Sequence, residues 1–197
     1  MSLHTFAPEE EHISELRRQL QRFVAQKMPR ALRRECDQNH TWPREIFKEL
    51  ADMGLIGLTV EEKHGGSGQD LVAAVAVIEE LAQVGPFLAG PYIHAAFYGG
   101  MNLSENGSEA QKEALLPKIV NGELLLSYGL SEPNVGGDLA SVETRAEKKA
   151  DKIVVNGTKR WCTGADWSNY IYCLVRSGEA DARYKNLSML LIPTDTP

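Results

Sequence analysis

Apolar residues near the start of the chain recur at helical spacing. The first stripe consists of Ile13, Leu16, Leu20, Phe23 and Val24. Residues three or four positions apart lie on one face of an α-helix, so this stripe predicts an amphipathic helix with one buried side. Pro8 suits the first turn of that helix, and Pro29 ends it.

A second helix is predicted to begin at Pro43 and to end at Gly54, because glycine readily adopts the left-handed cap conformation. Its buried residues are expected to be Ile46, Phe47 and Leu50. Apolar spacing of this kind is typical of a short helix that packs one face against a core.

A third helix is predicted over residues 70–84, with Asp70 as its N-cap. Its apolar residues continue almost all round the helix, as in a helix buried inside a bundle. The glycine-rich residues 64–68 before it predict a loop, since glycine weakens helical order. Ser108 and Gln111 form a capping-box pattern that opens a further helix.

From about residue 122 the pattern becomes typical of β-structure. Over residues 142–147, uncharged side chains alternate with charged ones, which predicts a strand with one solvent-exposed face. The uncharged residues are Val142, Thr144 and Ala146, and the charged ones are Glu143, Arg145 and Glu147. Asn156 and Gly157 lie between two β-prone segments, 153–155 and 158–161, and this dipeptide favours a two-residue hairpin.

Two more strands are predicted at Tyr170–Val175 and Leu187–Ile192. The predicted class is therefore α+β, with an all-α helical bundle domain at 1–121 and an incomplete antiparallel β-barrel-like domain at 122–197. We expect this second domain to be cut short, because its last apolar strand leaves an open edge.

Composition and charge narrow the range of functions. The chain is 43% hydrophobic and 24% charged, as in an ordinary globular protein. A net charge of -6 leaves no basic excess for a phosphate backbone, so we expect no nucleic-acid partner. The longest nearly uncharged run, 71–78, is far shorter than the ~20 apolar residues of a membrane span, so none is expected.

The three cysteines show no CxxC spacing, and the histidines show no HxxxH pair. This pattern argues against a disulfide framework and against a metal site. The first residues also lack a basic segment followed by an apolar stretch, the mark of a secretory signal. Together these features predict a cytoplasmic protein.

Two short segments carry the candidate chemistry. Residues 128–138 (Tyr-Gly-Leu-Ser-Glu-Pro-Asn-Val-Gly-Gly-Asp) place a hydroxyl, glycines and two carboxylates where a strand gives way to a loop. Backbone N–H groups in such a loop can approach a ligand closely. Residues 161–164 (Trp-Cys-Thr-Gly) place an indole and a hydroxyl two positions apart, on one face of an extended strand. Taken singly, the first segment is typical of a surface turn and the second of a core tryptophan.

In this order, the two segments resemble the acyl-CoA dehydrogenase family. Residues 129–138 are similar to the family's run Ala-x-Thr-Glu-Pro-x-x-Gly-Ser-Asp, and residues 161–163 to its strand ending Trp-Ile-Thr. Upstream, residues 42–58, 61–68 and 111–123 are similar to the family's entry helix, its glycine loop and its link between domains. The resemblance covers nearly the whole chain.

The resemblance implies an FAD enzyme that oxidises an acyl-CoA thioester to the 2,3-enoyl-CoA. A base removes the α-proton while the β-hydrogen leaves as a hydride to flavin N5, and an electron-transfer flavoprotein collects the electrons. It also implies a homo-oligomer, either a dimer or a tetramer. The family's catalytic carboxylate lies in a carboxy-terminal helical bundle, so no catalytic residue is assigned in this chain, and the chain alone is expected to be inactive.

The resemblance also implies a set of cofactor contacts. They are Tyr128, Leu130, Ser131, Gly136, Gly137, Trp161, Cys162 and Thr163. In the family pattern the first three meet the pyrimidine edge of the flavin, the indole stacks on the ring system and Thr163 binds near N5. Gly137 stands where the family usually has a serine that contacts cofactor or substrate, so it is also the substrate-site candidate.

Two alternatives remain open. A flavin monooxygenase or oxidase of the same architecture would bring reduced flavin to oxygen instead of to a carrier protein. A non-catalytic helical interaction module with a small β-domain would use Trp161 only as a core residue. The apolar residues Tyr92, Ile93, Ala95 and Phe97 are interpreted as bundle core, with the lining of an acyl pocket as the alternative.

Overall fold

The fold changes from helical to β between Glu123 and Leu124, where the computed structural model divides into two compact units. The structure describes residues 9–196. Pro8, predicted in the first turn of the first helix, and the residues that bear on a secretory signal lie outside this range. Within it, none of the helices combines the length and the apolar character needed to cross a bilayer.

The helices of the first unit are, in chain order, α1 (Glu11–Lys27), α2 (Arg30–Asn39), α3 (Arg44–Asp52), α4 (Leu71–Ala82), α5 (Pro86–Ile93), α6 (Asn102–Asn106) and α7 (Glu109–Val120). His94–Met101, between α5 and α6, forms a π-helix. Two short strands, β1 (Thr59–Val60) and β2 (Gly68–Gln69), pair antiparallel.

The helices predicted from apolar spacing are confirmed in α1, α3 and α4, and the helix predicted from the capping box is confirmed in α7. Asp70 caps α4 by accepting a hydrogen bond from the Ala73 backbone N–H at 2.8 Å. Ser108 and Gln111 form a complete capping box at the start of α7. Gly54 has the expected left-handed φ of 77° after α3. Side-chain capping and glycine stereochemistry therefore set these boundaries.

Two helical stretches were not predicted from the spacing of apolar residues. In α2 only Cys36 is buried, so the helix has no apolar stripe that spacing could reveal. The stretch 86–101 is apolar on most sides and has no amphipathic period. Tyr92 and Ala95 in this stretch are both 0% exposed, as expected of bundle core, whereas Ile93 and Phe97 are half-buried.

The prediction that α4 is buried on all sides is wrong for one face. Leu71, Val72 and Val75 are 53%, 67% and 44% exposed. The helices α1 and α5 pack on the other side of α4, where Ala74 and Val77 are fully buried. Within the first unit, this apolar face of α4 is exposed to solvent.

The glycine-rich segment 64–68 folds as a tight turn that leads into β2. Gly65 and Gly68 have left-handed φ values of 87° and 97°. Gly66 is needed for a different reason, because a Cβ there would lie 1.9 Å from the carbonyl oxygen of Val60. The backbone of this turn therefore lies directly against β1.

The second unit is a five-stranded sheet. Its strands are β3 (Leu126–Gly129), β4 (Arg145–Lys149), β5 (Lys152–Asn156), β6 (Tyr170–Arg176) and β7 (Leu187–Pro193). The strand β6 pairs with β3 along its first half, with β4 at its last residue and with β7 along its whole length, and β5 pairs with β4. The α+β class is thus confirmed.

The sheet is mixed, which corrects the prediction of an antiparallel barrel. The strands β3 and β6 are parallel, as are β4 and β6, whereas β4–β5 and β6–β7 are antiparallel. Parallel neighbours need a long connection, and here residues 130–169 provide it. The five described strands do not close on themselves.

The predicted hairpin at Asn156 and Gly157 is wrong. The hairpin joins β4 to β5 one turn earlier, where Ala150 has a left-handed φ of 55°. Gly157 is required by close approach, because a Cβ there would lie 2.3 Å from the hydroxyl of Thr144. Residues 158–161 form no strand, and the buried side chain of Lys159 directs them towards the loop after β3.

We predict that Gly66→Ala lowers the free energy of unfolding by about 3 kcal/mol or more, because the methyl group collides with backbone that cannot move aside. The matched control is Gly65→Ala, where nothing lies within 4 Å of the added Cβ. It should cost only the left-handed backbone penalty, about 1–2 kcal/mol. Urea unfolding followed by the helical circular dichroism signal compares the two, and an equal loss in both would contradict the collision.

Candidate functional site

Trp161 is a surface residue with an unusual backbone. Its side chain is 75% exposed, so it is no core residue, and that alternative for Trp161 is wrong. Its φ of 61° turns the chain, and the Thr163 N–H donates to the Trp161 carbonyl at 2.9 Å. The expected extended strand at 161–163 is therefore replaced by a tight turn.

The two predicted motifs lie side by side. The Arg160 N–H donates to the Ser131 carbonyl at 2.9 Å. The Ser127 hydroxyl, at the fully buried centre of β3, donates to the Thr163 carbonyl at 2.8 Å. These contacts bring the loop after β3 against the turn that holds Trp161.

Glu132 organises the loop after β3. Its side chain is 2% exposed. Its carboxylate accepts hydrogen bonds from the Thr144 N–H at 2.9 Å, from the Thr144 hydroxyl, from the Glu143 N–H at 2.6 Å and from the Lys159 ammonium at 2.8 Å. Its backbone forms a two-way bridge with Val135, which closes the loop.

The carboxylate of Glu132 stays ionised. Burial opposes the charged form and raises its pKa, but the bonds from Lys159, Thr144 and Glu143 outweigh burial and lower the pKa to about 2. Because each of its oxygens is already occupied by protein donors, Glu132 is not available to take a proton from a ligand.

Lys159 was not identified from the sequence. Its side chain is 9% exposed, and a Cβ on Gly129 would lie 3.4 Å from its Cγ, so the lysine stem passes over the end of β3. Its ammonium also donates to the Leu130 carbonyl at 3.1 Å. A lone lysine 27 positions after its partner carries no local pattern, so only the fold reveals this pair.

The surface beside this pair offers unused donors. Among the described residues, nothing accepts a hydrogen bond from the Ser131 N–H, the Ser131 hydroxyl or the Thr163 hydroxyl. The Arg160 guanidinium lies 4.2 Å from the centroid of the Trp161 ring and covers one of its faces. A flat aromatic surface next to free donors suits a planar ligand with acceptors along one edge.

The remaining predicted residues lie around this surface. Tyr128 is half-buried in β3, with its ring 5.4 Å from that of Tyr172. Gly136 and Gly137 lie in the exposed part of the loop, where an added Cβ meets nothing within 4 Å. Cys162 is half-buried, and burial raises the pKa of its thiol.

Asp138, the other carboxylate of the loop, is exposed and occupied. It accepts from the Ser141 hydroxyl at 2.6 Å and pairs with Arg183 at 3.1 Å. The bond from Ser141 is the main cause of its lowered pKa. Across residues 9–196, no group of three or more His, Cys, Asp or Glu side chains is arranged to hold a metal ion.

Two family models match the chain. The model described as "Acyl-CoA dehydrogenase, N-terminal domain" matches residues 9–123, and "Acyl-CoA dehydrogenase, middle domain" matches residues 127–197. The two matches fall on the two units of the fold and together cover nearly all of the described residues.

Individual proteins agree with these models. The chain is 33% identical over 161 residues to the probable acyl-CoA dehydrogenase YngJ of Bacillus subtilis, and 35% identical over 156 residues to mitochondrial isovaleryl-CoA dehydrogenase of Bos taurus. These matches cover 82% and 78% of this chain but 42% and 36% of those proteins. A crystal structure of an acyl-CoA dehydrogenase from Geobacillus kaustophilus matches with a TM-score of 0.87 and 28% identity, over 100% of this chain and 50% of that one.

We predict a pH-dependent stability that comes from Glu132. Its folded pKa is lowered from 4.5 to about 2, so its stabilising effect is complete above pH 4.5 and is lost as the pH falls towards 2. Each unit of pKa shift corresponds to about 1.4 kcal/mol of folding stability. The wild type should therefore have a larger free energy of unfolding than Glu132→Gln at pH 6, and this difference should shrink by roughly 2 kcal/mol at pH 3.

Urea unfolding of both proteins at pH 6 and pH 3, followed by tryptophan fluorescence, measures this loss. Glu147→Gln serves as the matched control, because Glu147 has a side chain that is 55% exposed. A stability difference between wild type and Glu132→Gln that stays constant with pH would rule out the proposed charge of Glu132.

Proposed function

Since the chain belongs to the acyl-CoA dehydrogenase family, we propose that the whole protein oxidises an acyl-CoA thioester to the 2,3-enoyl-CoA with FAD as the hydride acceptor. The family is FAD-dependent. The observation that carries the proposal is that Trp161, 75% exposed, lies on a turn joined by a hydrogen bond from the Arg160 N–H to the loop that holds the free donors of Ser131. The chain spans less than half the length of the relatives named above, so activity, substrate and partners are proposed for the whole protein.

The residues present fit a flavin. The open face of Trp161 would lie against the ring system, and the Ser131 N–H and hydroxyl would bind its pyrimidine edge. The Thr163 hydroxyl would bind near N5. When bound, FAD supplies a two-electron acceptor for a hydride. Donors fixed at the pyrimidine edge favour the electron-rich reduced form, because they need not reorganise as charge develops there.

The other predicted contacts extend this site. We propose that Tyr128, Leu130 and Cys162 line it through backbone groups and that Gly136 and Gly137 admit the cofactor closely. Gly137 is also proposed as the place where the loop approaches the substrate. Open space at both glycines supports this role.

Each of the two units is proposed to correspond to one domain of the enzyme. Residues 1–121 are proposed to form the helical amino-terminal domain, and residues 122–197 the flavin-facing part of the middle domain. The catalytic base is proposed to lie outside both. Glu132 is saturated with donors and Asp138 is paired at the surface, so we expect residues 1–197 alone to be inactive.

The partners are proposed from the family pattern. They are an electron-transfer flavoprotein as electron acceptor and further copies of the same chain, in a dimer or a tetramer. A cytoplasmic location is proposed as well. The three cysteines are free thiols, two of them buried, which suits a reducing compartment.

We predict that acyl-CoA bleaches the flavin of the complete FAD-loaded protein under anaerobic conditions, while residues 1–197 with added FAD and acyl-CoA show no bleaching. Anaerobic bleaching argues against a monooxygenase. Slow reoxidation after oxygen is admitted argues against an oxidase. Absence of bleaching across straight and branched acyl-CoAs would refute the proposed dehydrogenation.

We predict that Trp161→Ala weakens FAD binding to the complete protein by about tenfold or more, since ring stacking of this kind contributes about 1–3 kcal/mol. Tyr184→Ala is the matched control, because Tyr184 is another exposed aromatic residue of the second unit, 63% exposed and beside Arg183. Titration followed by flavin fluorescence measures both affinities. Equal affinities for the two variants would remove Trp161 from the site.

A further inference from the structure

One peptide group connects the buried ion pair to the surface donors. The carbonyl of Leu130 and the N–H of Ser131 belong to the same planar amide. The carbonyl accepts from the Lys159 ammonium at 3.1 Å. In a trans peptide the N–H points opposite to the carbonyl, so the Ser131 N–H points away from the buried ammonium.

A cation on an amide oxygen changes the donor at the other end of the amide. It draws electron density from nitrogen towards oxygen, which makes the N–H more acidic and a stronger donor. The effect is largest where water does not screen the cation, and the Lys159 side chain is only 9% exposed. Lys159 is therefore placed to strengthen a hydrogen bond that it does not itself make.

We infer that Lys159 is a positioning residue that polarises the Leu130–Ser131 peptide and so strengthens the Ser131 N–H as a donor to the pyrimidine edge of the flavin. This inference rests on the proposed function, and it adds a residue that touches neither cofactor nor substrate. Glu132 holds the ammonium against the Leu130 carbonyl, since the same Nζ donates to its carboxylate at 2.8 Å.

Four variants of the complete protein separate polarisation from other effects, and one of them is the Glu132→Gln variant introduced above. Lys159→Met removes the cation and leaves Glu132 buried without its main partner, so this variant is prone to misfolding. Lys159→Met/Glu132→Gln removes both charges, leaves net charge unchanged and leaves no lone buried ion. Lys152→Met, an exposed lysine on β5, is the matched control for loss of one positive charge.

The first measurement needs no flavin. Labelling leucine carbonyls with ¹³C and serine amides with ¹⁵N selects Leu–Ser peptides by NMR, and residues 1–197 contain them at 103–104, 126–127, 130–131 and 187–188. In the double variant, we expect the ¹⁵N chemical shift of Ser131 to move upfield, while the shifts of the other three serines stay unchanged. In Lys152→Met, the ¹⁵N shifts of all four serines should stay unchanged. An unchanged Ser131 shift would overturn the inference.

The second measurement is the midpoint potential of the bound flavin. Loss of the strengthened donor should weaken binding of reduced relative to oxidised FAD by three- to tenfold in the double variant, which for a two-electron couple is roughly 15–30 mV to lower potential. Glu132→Gln alone should move the potential upward, because it removes a negative charge and keeps the cation. A merely structural role would shift both variants in the same direction.

The two measurements keep the inference distinct from the proposed function. A wild-type protein that binds no FAD would refute the function, while the Ser131 shift would still test the polarisation. A flavin potential in the double variant equal to that of wild type, with FAD bound, would overturn the inference and leave the dehydrogenase function standing.

Discussion

A carboxylate that is 2% exposed must find protein donors for its lone pairs, and Glu132 finds them in two other segments of the second unit. The segment directly before β4 supplies Thr144 and Glu143, and the segment before Trp161 supplies Lys159. Removing either partner of such a pair typically costs about 3–5 kcal/mol, because the other charge stays buried. The two candidate loops therefore keep their spacing through a buried interaction that lies beneath them.

The topology of the sheet makes this interaction possible. The strands β3 and β6 are parallel, so the chain must return from the end of β3 to the start of β6 before pairing. Both candidate segments lie on that return path, one directly after β3 and the other shortly before β6. A wholly antiparallel meander would not have placed them in one long connection.

The sequence predicted those parts of the fold that local chemistry determines. The stripe around Leu20 identifies α1, and the caps at Asp70 and Ser108 identify the starts of α4 and α7. The helix α2 has no stripe, so apolar spacing had no signal there. Gly157 looked like a turn residue but serves close packing against Thr144, a contact that only the tertiary structure creates. In the candidate site, motif order identified the segments of Ser131 and Trp161, which the structure places side by side, whereas Lys159 lies far from its partner Glu132 in sequence and was missed.

The stacking of Arg160 on Trp161 has a stereochemical consequence. With the guanidinium 4.2 Å from the centroid of the indole, a planar ligand has only the opposite side on which to rest. A planar ligand that rested there would have one face covered by the indole. A reactant would then have to reach such a ligand from its other face, so the Arg160–Trp161 stack would help to set which prochiral face of the ligand reacts.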